Sequence, residues 1–327
     1  MLRTLLVVVL CLSAAVVQAR CNGKDVRAYL SDPQRAALQR KAGATPYGQG
    51  NHWIATRGTR TIHIVGTMHV NDHRLNRVMR NLRQIIPQVD AVLLEVSPTQ
   101  AKRFWTSLKG QKDLFVLPGG TSVHTVMSTD GWQNLTDAAQ QRKLNPDEVA
   151  KLQPWLLSML LTGSSCGPQG MFASNGLDNR IEKVARRNRI PIGSLETVES
   201  AIRMLSRRSL ADQVRMLEFD LLQADNGDNA YITTREAYFD QDMAAAMILE
   251  KWRYLRDIPG SKATRARLWR QYENDLLSHR NRNWIPVIRR TSGNTLFVAV
   301  GAAHLPGKYG VVNLLRQAGY KMQRAAF

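Results

Sequence analysis

The sequence predicts an α/β fold, with a central β-sheet built from βαβ units in the N- and C-terminal thirds of the chain, surrounding helices and a helical insert. Three observations lead to this fold class. Two short apolar runs, at 64–70 and 299–305, each contain a Gly-x-x-His turn, and such turns suit the carboxyl ends of parallel strands. The stretch between these runs has mostly helical periodicity. The 327 residues are 44% hydrophobic, which is enough for a packed core.

The first third contains one complete βαβ unit. The alternating, β-branched run "TRTIHIVG" predicts a strand. A helix is predicted over 74–86, because its apolar residues fall on one face, and "DAVLLEVS" then predicts a second, buried strand. Two strands joined by one helix run parallel in a sheet, so their carboxyl ends lie at the same edge.

The last third repeats this order of elements. "TLFVAVG" predicts a strand, residues 309–317 a helix, and "YKMQRAAF" another strand. A weaker middle unit joins a helix over 178–188 to the strand "IPIGSLE". Because no low-complexity linker interrupts the chain, we expect a single domain over 20–327 with a helical insert from about 100 to 290.

The N-terminal segment has the composition of an export signal. A basic residue precedes an almost wholly apolar run, 5–17, and residues 17–19 have the small-residue pattern of a cleavage site. The run is too short to span a bilayer comfortably, and no later apolar run is long enough to do so. We therefore predict a signal peptide over 1–19, no transmembrane segment, and a periplasmic or secreted protein. A lipoprotein acylated at Cys21 is the less favoured alternative.

Export also determines how the cysteines are interpreted. Removal of residues 1–19 leaves Cys21 and Cys166 as a pair in an oxidising compartment. We predict a disulfide between them, and two free thiols are the alternative. The formal charge of +19 is spread over helical segments with carboxylates between the basic residues. This favours a solvated, arginine-rich surface; nucleic acid is not an expected partner of an exported protein, and contact with anionic surfaces stays open.

The repeated turn is the main functional signal. Gly66 and Gly301 allow sharp turns at the ends of two predicted strands, and His69 and His304 follow at the same spacing. Glu95 ends the second strand of the first unit, where a buried carboxylate needs a partner. Two histidines and one glutamate around an open position suit a hydrolytic divalent metal site of the Mn, Co or Zn type, with the glutamate as ligand or general base. The alternative is two structural histidines and a glutamate that caps a helix.

Several motifs together resemble one known family. They are "GTMH", "LLEV", "GLDNRI", "SLET", "RNRNW" and "FVAVGAAHLPGKYGVVNLLRQAGY", and they are similar to the TraB/PrgY/GumN family, which is related to the Tiki proteases that cleave Wnt proteins. The resemblance is strongest over 61–96 and 280–320. It implies an α/β fold, a peptide or protein substrate in the cell envelope or outside, and a divalent-metal peptidase site at Gly66, His69, Glu95, Gly301 and His304.

Three other residues in these motifs are candidate catalytic residues beside Glu95. Glu196 ends a predicted strand, as Glu95 does, and is the best candidate for a second carboxylate of the site. Asp178 is also well placed as a helix N-cap, which explains it equally well. Arg282 would pair with Asp178 or Glu95, or bind a substrate carboxylate; an ordinary surface arginine is the alternative.

Two function classes follow from the sequence. The first is an exported metal-dependent hydrolase, a peptidase of the TraB/GumN type, whose activity falls below about pH 6.5 because a histidine ligand must be neutral. The second is a non-catalytic periplasmic or secreted protein that sequesters a peptide signal, a metal or haem in the same cleft. The hydrolase requires His69, His304 and Glu95 to converge on one water-accessible point.

Overall fold

The computed structural model describes residues 21–107, 111–164, 166–167, 175–223 and 227–327, so the predicted signal peptide lies outside the described residues. Six strands form one mixed sheet in the order β4-β3-β5-β2-β1-β6. Their bounds are β1 His52–Arg57, β2 Arg60–Thr67, β3 Ala91–Leu94, β4 Ile192–Ser194, β5 Thr295–Gly301 and β6 Lys321–Arg324. The predicted α/β class is confirmed.

Strand β5 lies between the two strands of the first βαβ unit. It pairs in parallel with β2 on one side and with β3 on the other. The predicted parallel direction of β2 and β3 is therefore confirmed, although they are not neighbours. In the β2–β5 register, Thr67 lies opposite Gly301. This insertion of the last third into the first places the two Gly-x-x-His turns side by side.

Strand β1 is absent from the sequence prediction. It pairs antiparallel with β2 through a two-residue turn, in which Arg57 lies opposite Arg60 and Gly58 has a φ of +57°. A glycine at the first position of a two-residue turn between β-rich segments is a hairpin signal that the sequence contains. Strand β1 also pairs antiparallel with β6. It therefore separates the C-terminal strand from the parallel part of the sheet.

Helices account for most of the remaining chain. The α-helices are α1 Asp32–Gly43, α2 Leu75–Ile85, α3 Pro98–Thr106, α4 Thr129–Gln141, α5 Pro146–Val149, α6 Pro154–Leu161, α7 Leu177–Arg187, α8 Val198–Leu205, α9 Leu210–Leu222, α10 Gly227–Phe239, α11 Met243–Asp257, α12 Lys262–Glu273, α13 His279–Arg290 and α14 Val311–Gln317. A π-helical turn, Asn274–Ser278, joins α12 to α13. Short 3₁₀ turns lie at Val26–Tyr29, Ile86–Gln88, Lys112–Leu114, Pro118–Gly120, Val123–Thr125 and Ala302–His304.

The sheet is buried on both faces. Helices α2, α7, α10 and α11 contribute to the core on one face, and α13 and α14 cover the other. The predicted helix over 74–86 is confirmed as α2, whose buried residues recur at helical spacing: Leu75, Val78, Met79 and Leu82. Parallel strands covered on both faces are almost wholly apolar, which explains why "AVLL" of β3 and "LFVAV" of β5 are continuous hydrophobic runs.

The predicted insert is mostly helical and has a core of its own. Helices α4, α6 and α9 pack together around a separate apolar cluster, and β4 adds to the sheet from within the insert. The predicted disulfide between Cys21 and Cys166 is confirmed. Among the described residues, each helix is too short or too polar to cross a bilayer. The division into a single domain stays a prediction.

Candidate functional site

The two Gly-x-x-His turns pack directly on each other. A side chain at Gly66 would approach Leu305 Cδ1 to 2.9 Å and Ala302 Cα to 3.0 Å. Glycine is therefore required here because the second turn rests on the end of β2. The Tyr238 hydroxyl, from α10, also donates to the Gly66 carbonyl at 3.1 Å. The turn role predicted for Gly66 has a steric reason in this close contact.

Gly301 is the point at which the predicted site residues meet. A Cβ atom built on Gly301 would lie 3.1 Å from Glu95 Oε1, 3.6 Å from His304 Cδ2 and 3.7 Å from His69 Nε2. The Gly301 amide also donates to Glu95 Oε1. The structure thus brings His69, Glu95 and His304 together around a space that any larger residue at 301 would fill.

His304 is held in one orientation by Asn281, from α13. Asn281 Nδ2 donates to the backbone carbonyls of His304 and Tyr309, at 3.3 and 2.8 Å. Its Oδ1 is therefore turned to His304 Nδ1, 2.6 Å away, which assigns the ring proton to Nδ1. His304 Nε2 is left with its lone pair directed at the site, 3.7 Å from Glu95 Oε1. The ring is buried, with 5% of the residue exposed.

His69 is held by a carboxylate. Its Nδ1 donates to Asp178 Oδ1 at 3.1 Å, so Nε2 is the atom that faces Gly301. The start of α7 rests on this turn, because the Leu177 amide donates to the Met68 carbonyl and a Cβ at Gly176 would clash with the His69 backbone at 2.4 Å. The predicted N-cap role of Asp178 is wrong: Gly176 is the N-cap, and Asp178 lies in the first turn of the helix.

Arg280 connects two carboxylates to His304. Its Nη2 donates to Glu95 Oε2 at 2.7 Å, and its Nε donates to Glu196 Oε1 at 2.8 Å. Its Nη1 lies 3.3 Å from His304 Nε2. The structure therefore places Glu196, the predicted second carboxylate, beside Glu95 through this shared arginine. His69, Glu95, Glu196, Arg280 and His304 are called the candidate site below.

The two histidines have opposite proton affinities. The hydrogen bond and charge of Asp178 raise the pKa of His69 to about 9, although solvent around its ring, 64% exposed by side chain, screens this pair. Burial lowers the pKa of His304 to about 4. At neutral pH the site therefore combines a largely protonated His69 with a neutral His304.

The two glutamates also differ. Burial raises the pKa of Glu95, but the positive charge of His304, Arg280 and His69 outweighs it and lowers the pKa to about 2. Since His304 is neutral at pH 7, Arg280 and His69 supply most of that charge under such conditions. Burial raises the pKa of Glu196, and the hydrogen bond from Arg280 only partly opposes this effect.

Comparison with known proteins identifies the family of the chain. The sequence matches the model of the TraB/PrgY/gumN family over residues 51–324. The chain belongs to this family. Two proteins named "uncharacterized protein YbaP", from Escherichia coli (strain K12) and Shigella flexneri, are each 24% identical to it over 275 residues, which cover 82% of this chain and 95% of theirs.

In this TraB/PrgY/gumN member, the arginine that pairs with Glu95 is Arg280 and not the predicted Arg282. Residues two apart on a helix point about 200° apart, so only one of them faces the sheet from α13. Arg282 instead donates to Asn274 Oδ1 at 3.0 Å and lies over the Tyr309 ring. Its predicted pairing with Asp178 or Glu95 is wrong. The spacing of Arg280 and the fully buried Trp284, one turn apart in "RNRNW", could have identified the inward face.

The donor atoms of this family member are of the types that hold a divalent ion. Both imidazoles are fixed through Nδ1, by Asp178 and by Asn281, and an outer partner of this kind orients metal-ligating histidines. Glu95 adds a carboxylate oxygen at the same point. In the described part of the chain, however, no three His, Cys, Asp or Glu side chains lie in a ligating arrangement. Arg280 contacts two of the groups that an ion would use, because it donates to Glu95 Oε2 and its Nη1 lies 3.3 Å from His304 Nε2.

Proposed function

We propose that this chain is an exported, metal-dependent hydrolase of the TraB/PrgY/gumN family and acts as a peptidase, as the related Tiki proteases do. One observation carries the proposal. His69 Nε2, Glu95 Oε1 and the His304 ring approach a single point above Gly301, within 3.7 Å. Structural histidines need no such convergence, whereas a shared divalent ion does.

His69 and His304 would hold the ion through Nε2, and Glu95 would hold it through Oε1. A bound Mn, Co or Zn ion supplies Lewis acidity at this point. Glu95 suits the role of ligand better than that of general base, because a carboxylate with a pKa near 2 takes up protons poorly at neutral pH. Glu196, whose pKa burial raises, is the better candidate for proton transfer.

Arg280 positions both carboxylates. It donates to Glu95 and Glu196 from one guanidinium, and its positive charge lowers the cost of burying two carboxylates near each other. It also carries a positive charge next to the proposed ion site, so it disfavours ion binding electrostatically. We infer that Arg280, together with the ligands, determines how tightly the site binds an ion.

Export is part of the proposal. The apolar segment at 5–17 has the pattern of a signal peptide, and the disulfide between Cys21 and Cys166 suits an oxidising compartment. These two features support a periplasmic or secreted location as part of the proposal. Such a location also agrees with a peptide or protein substrate in the envelope or outside the cell.

A non-catalytic binding protein is the second candidate. The observation that favours it is the ion pair of Arg280 with Glu95, at 2.7 Å, which already neutralises the carboxylate that an ion would use. In that case the cleft would hold a peptide signal or another ligand without turnover.

The test combines metal analysis of the purified mature chain with cleavage of a peptide library. We expect about one divalent ion per chain and metal-dependent cleavage. Glu95→Gln should lose the ion and the activity together, whereas Glu196→Gln should keep the ion and lose turnover by roughly 10²–10⁴-fold.

Arg280→Gln and Arg282→Gln form a matched pair on one helix. The first should change both ion affinity and turnover, and the second should change neither. Thermal melting of each variant checks that it is folded. Absence of ion binding and of cleavage in the wild type, with folding intact, would favour the binding protein.

A further inference from the structure

An apolar cavity of about 240 Å³ adjoins the candidate site and takes no part in the proposed chemistry. It lies between helices α3 and α8, which follow strands β3 and β4 at the same edge of the sheet. Apolar side chains form most of its walls, among them Trp105 from α3 and Leu205 from α8. It is partly open to solvent, so it is a pocket rather than a packing defect.

The pocket is joined to the candidate site through two residues. Val96 lines it and directly follows Glu95 in the chain. Arg280 lines it as well and donates to Glu95. Leu276, from the π-helical turn, forms another part of the wall, and its carbonyl accepts from Arg280 Nη1 at 3.2 Å. A group in this pocket would therefore contact Arg280, which donates to Glu95 of the candidate site.

Arg280 does not give the pocket a free hydrogen-bond donor. A guanidinium has five N–H donors, and in this structure each has an acceptor. Nε and one Nη2 donor serve Glu196, the other Nη2 donor serves Glu95, and the Nη1 donors serve the Leu276 carbonyl and His304 Nε2. An acidic group entering the pocket would lose its hydration without gaining a partner.

The size of the pocket fits a single side chain. An engineered apolar cavity of about 150 Å³ takes up benzene, so 240 Å³ has room for an aromatic ring or a branched aliphatic group. Ala101 and Ala201, on facing helices, line the pocket and keep this space open. Larger residues at either position would fill it.

We propose that this pocket binds one aliphatic or aromatic side chain of a peptide substrate and thereby selects the bond presented to the candidate site. The proposal rests on the proposed peptidase function, because it assigns that function a substrate class. Peptides with phenylalanine or leucine at the recognised position are favoured, and those with aspartate or lysine are excluded.

The experiment measures binding and cleavage separately on the mature protein as purified. Blocked pentapeptides of the form Gly-Gly-X-Gly-Gly, with X as Phe, Leu, Ala, Asp or Lys, are titrated by calorimetry, and the products are analysed by mass spectrometry. We expect the Phe and Leu peptides to bind at least tenfold more tightly than the Asp and Lys peptides.

Three variants test the pocket itself. Ala201→Leu and Ala101→Leu fill it from opposite walls and should each remove the preference for Phe and Leu. Leu205→Ala enlarges it and should shift the preference towards Phe over Leu, which keeps the test informative if a filling variant does not fold. Ala263→Leu is the matched control, because Ala263 is exposed on α12 and does not line the pocket. It should leave peptide binding and cleavage unchanged.

The outcomes separate this proposal from the proposed function. Apolar preference in binding without any cleavage supports the pocket and overturns the peptidase. Cleavage that ignores the identity of X, or a preference that survives both filling variants, overturns the pocket and leaves the peptidase intact. Equal binding of all five peptides also overturns the pocket.

Discussion

The two Gly-x-x-His turns share a sequence pattern but differ in their surroundings. His69 lies at an exposed rim, with a carboxylate on Nδ1. His304 is buried, with a neutral amide on Nδ1. The anionic partner favours the protonated ring at 69, and burial disfavours it at 304. The comparison shows that a repeated motif fixes the placement of two groups, whereas the neighbours of each copy set its chemistry.

The largest expected effect tests whether the two turns serve one ion. His69→Ala and His304→Ala should each lower divalent ion affinity by more than the ~10–100-fold that loss of an outer partner costs, and turnover should fall with it. Metal analysis and cleavage assays measure both effects. His73→Ala, at a histidine with an 89% exposed side chain, is the control. If one of the two variants keeps full occupancy, the turns do not share a site.

A second difference should appear in stability. His304→Ala should lower the free energy of unfolding by about 2–4 kcal/mol, because it leaves a cavity and removes the hydrogen-bond donor of Asn281 Oδ1. His69→Ala should cost about 1 kcal/mol or less, as expected for an exposed ring. Denaturant unfolding without added metal measures both values. Equal losses in the two variants would contradict the contrast in burial.

Substitutions at the two turn glycines should distinguish an effect on stability from an effect on ion binding. Gly66→Ala should cost about 1–3 kcal/mol of stability, because its Cβ meets Ala302 backbone and Leu305. Gly301→Ala should be better tolerated in folding, since its φ of −50° is ordinary and its nearest contacts are side-chain atoms. It should nonetheless weaken ion binding by filling the shared point. Unfolding and metal titration of each variant distinguish these effects.

The smallest expected effect is the release of protons when the ion binds. A histidine must be neutral to bind metal. His69, with its raised pKa, is largely protonated at pH 7.5 and His304 is neutral, so ion binding should release about one proton, from His69. Affinity should therefore rise with pH up to about 9, rather than level off above 6.5.

Calorimetry in buffers of different ionisation enthalpy counts the released proton. Asp178→Asn should reduce the number, since it removes the charge that raises the pKa of His69. Release that is unchanged in this variant would show that Asp178 does not control the proton on His69.

Local pattern was sufficient to predict the units of the fold. The apolar runs of β2, β3 and β5, the amphipathic face of α2 and the middle unit that ends in β4 all appear where the sequence placed them. The disulfide between Cys21 and Cys166 is another such feature. These predictions succeeded because strand and helix periodicity and cysteine count depend on neighbouring or few residues. Hairpin strand β1 was missed although its turn signal is also local.

Only the tertiary structure decided which residues meet. The insertion of β5 between β2 and β3 depends on long-range pairing, and it alone sets His69 beside His304. The choice of Arg280 over Arg282 depends on which face of α13 packs against the sheet. Asp178 became the partner of His69 because Gly176 allows the start of α7 to rest on that turn. Sequence determines the kinds of groups available, but distances between them arise only when separate segments pack.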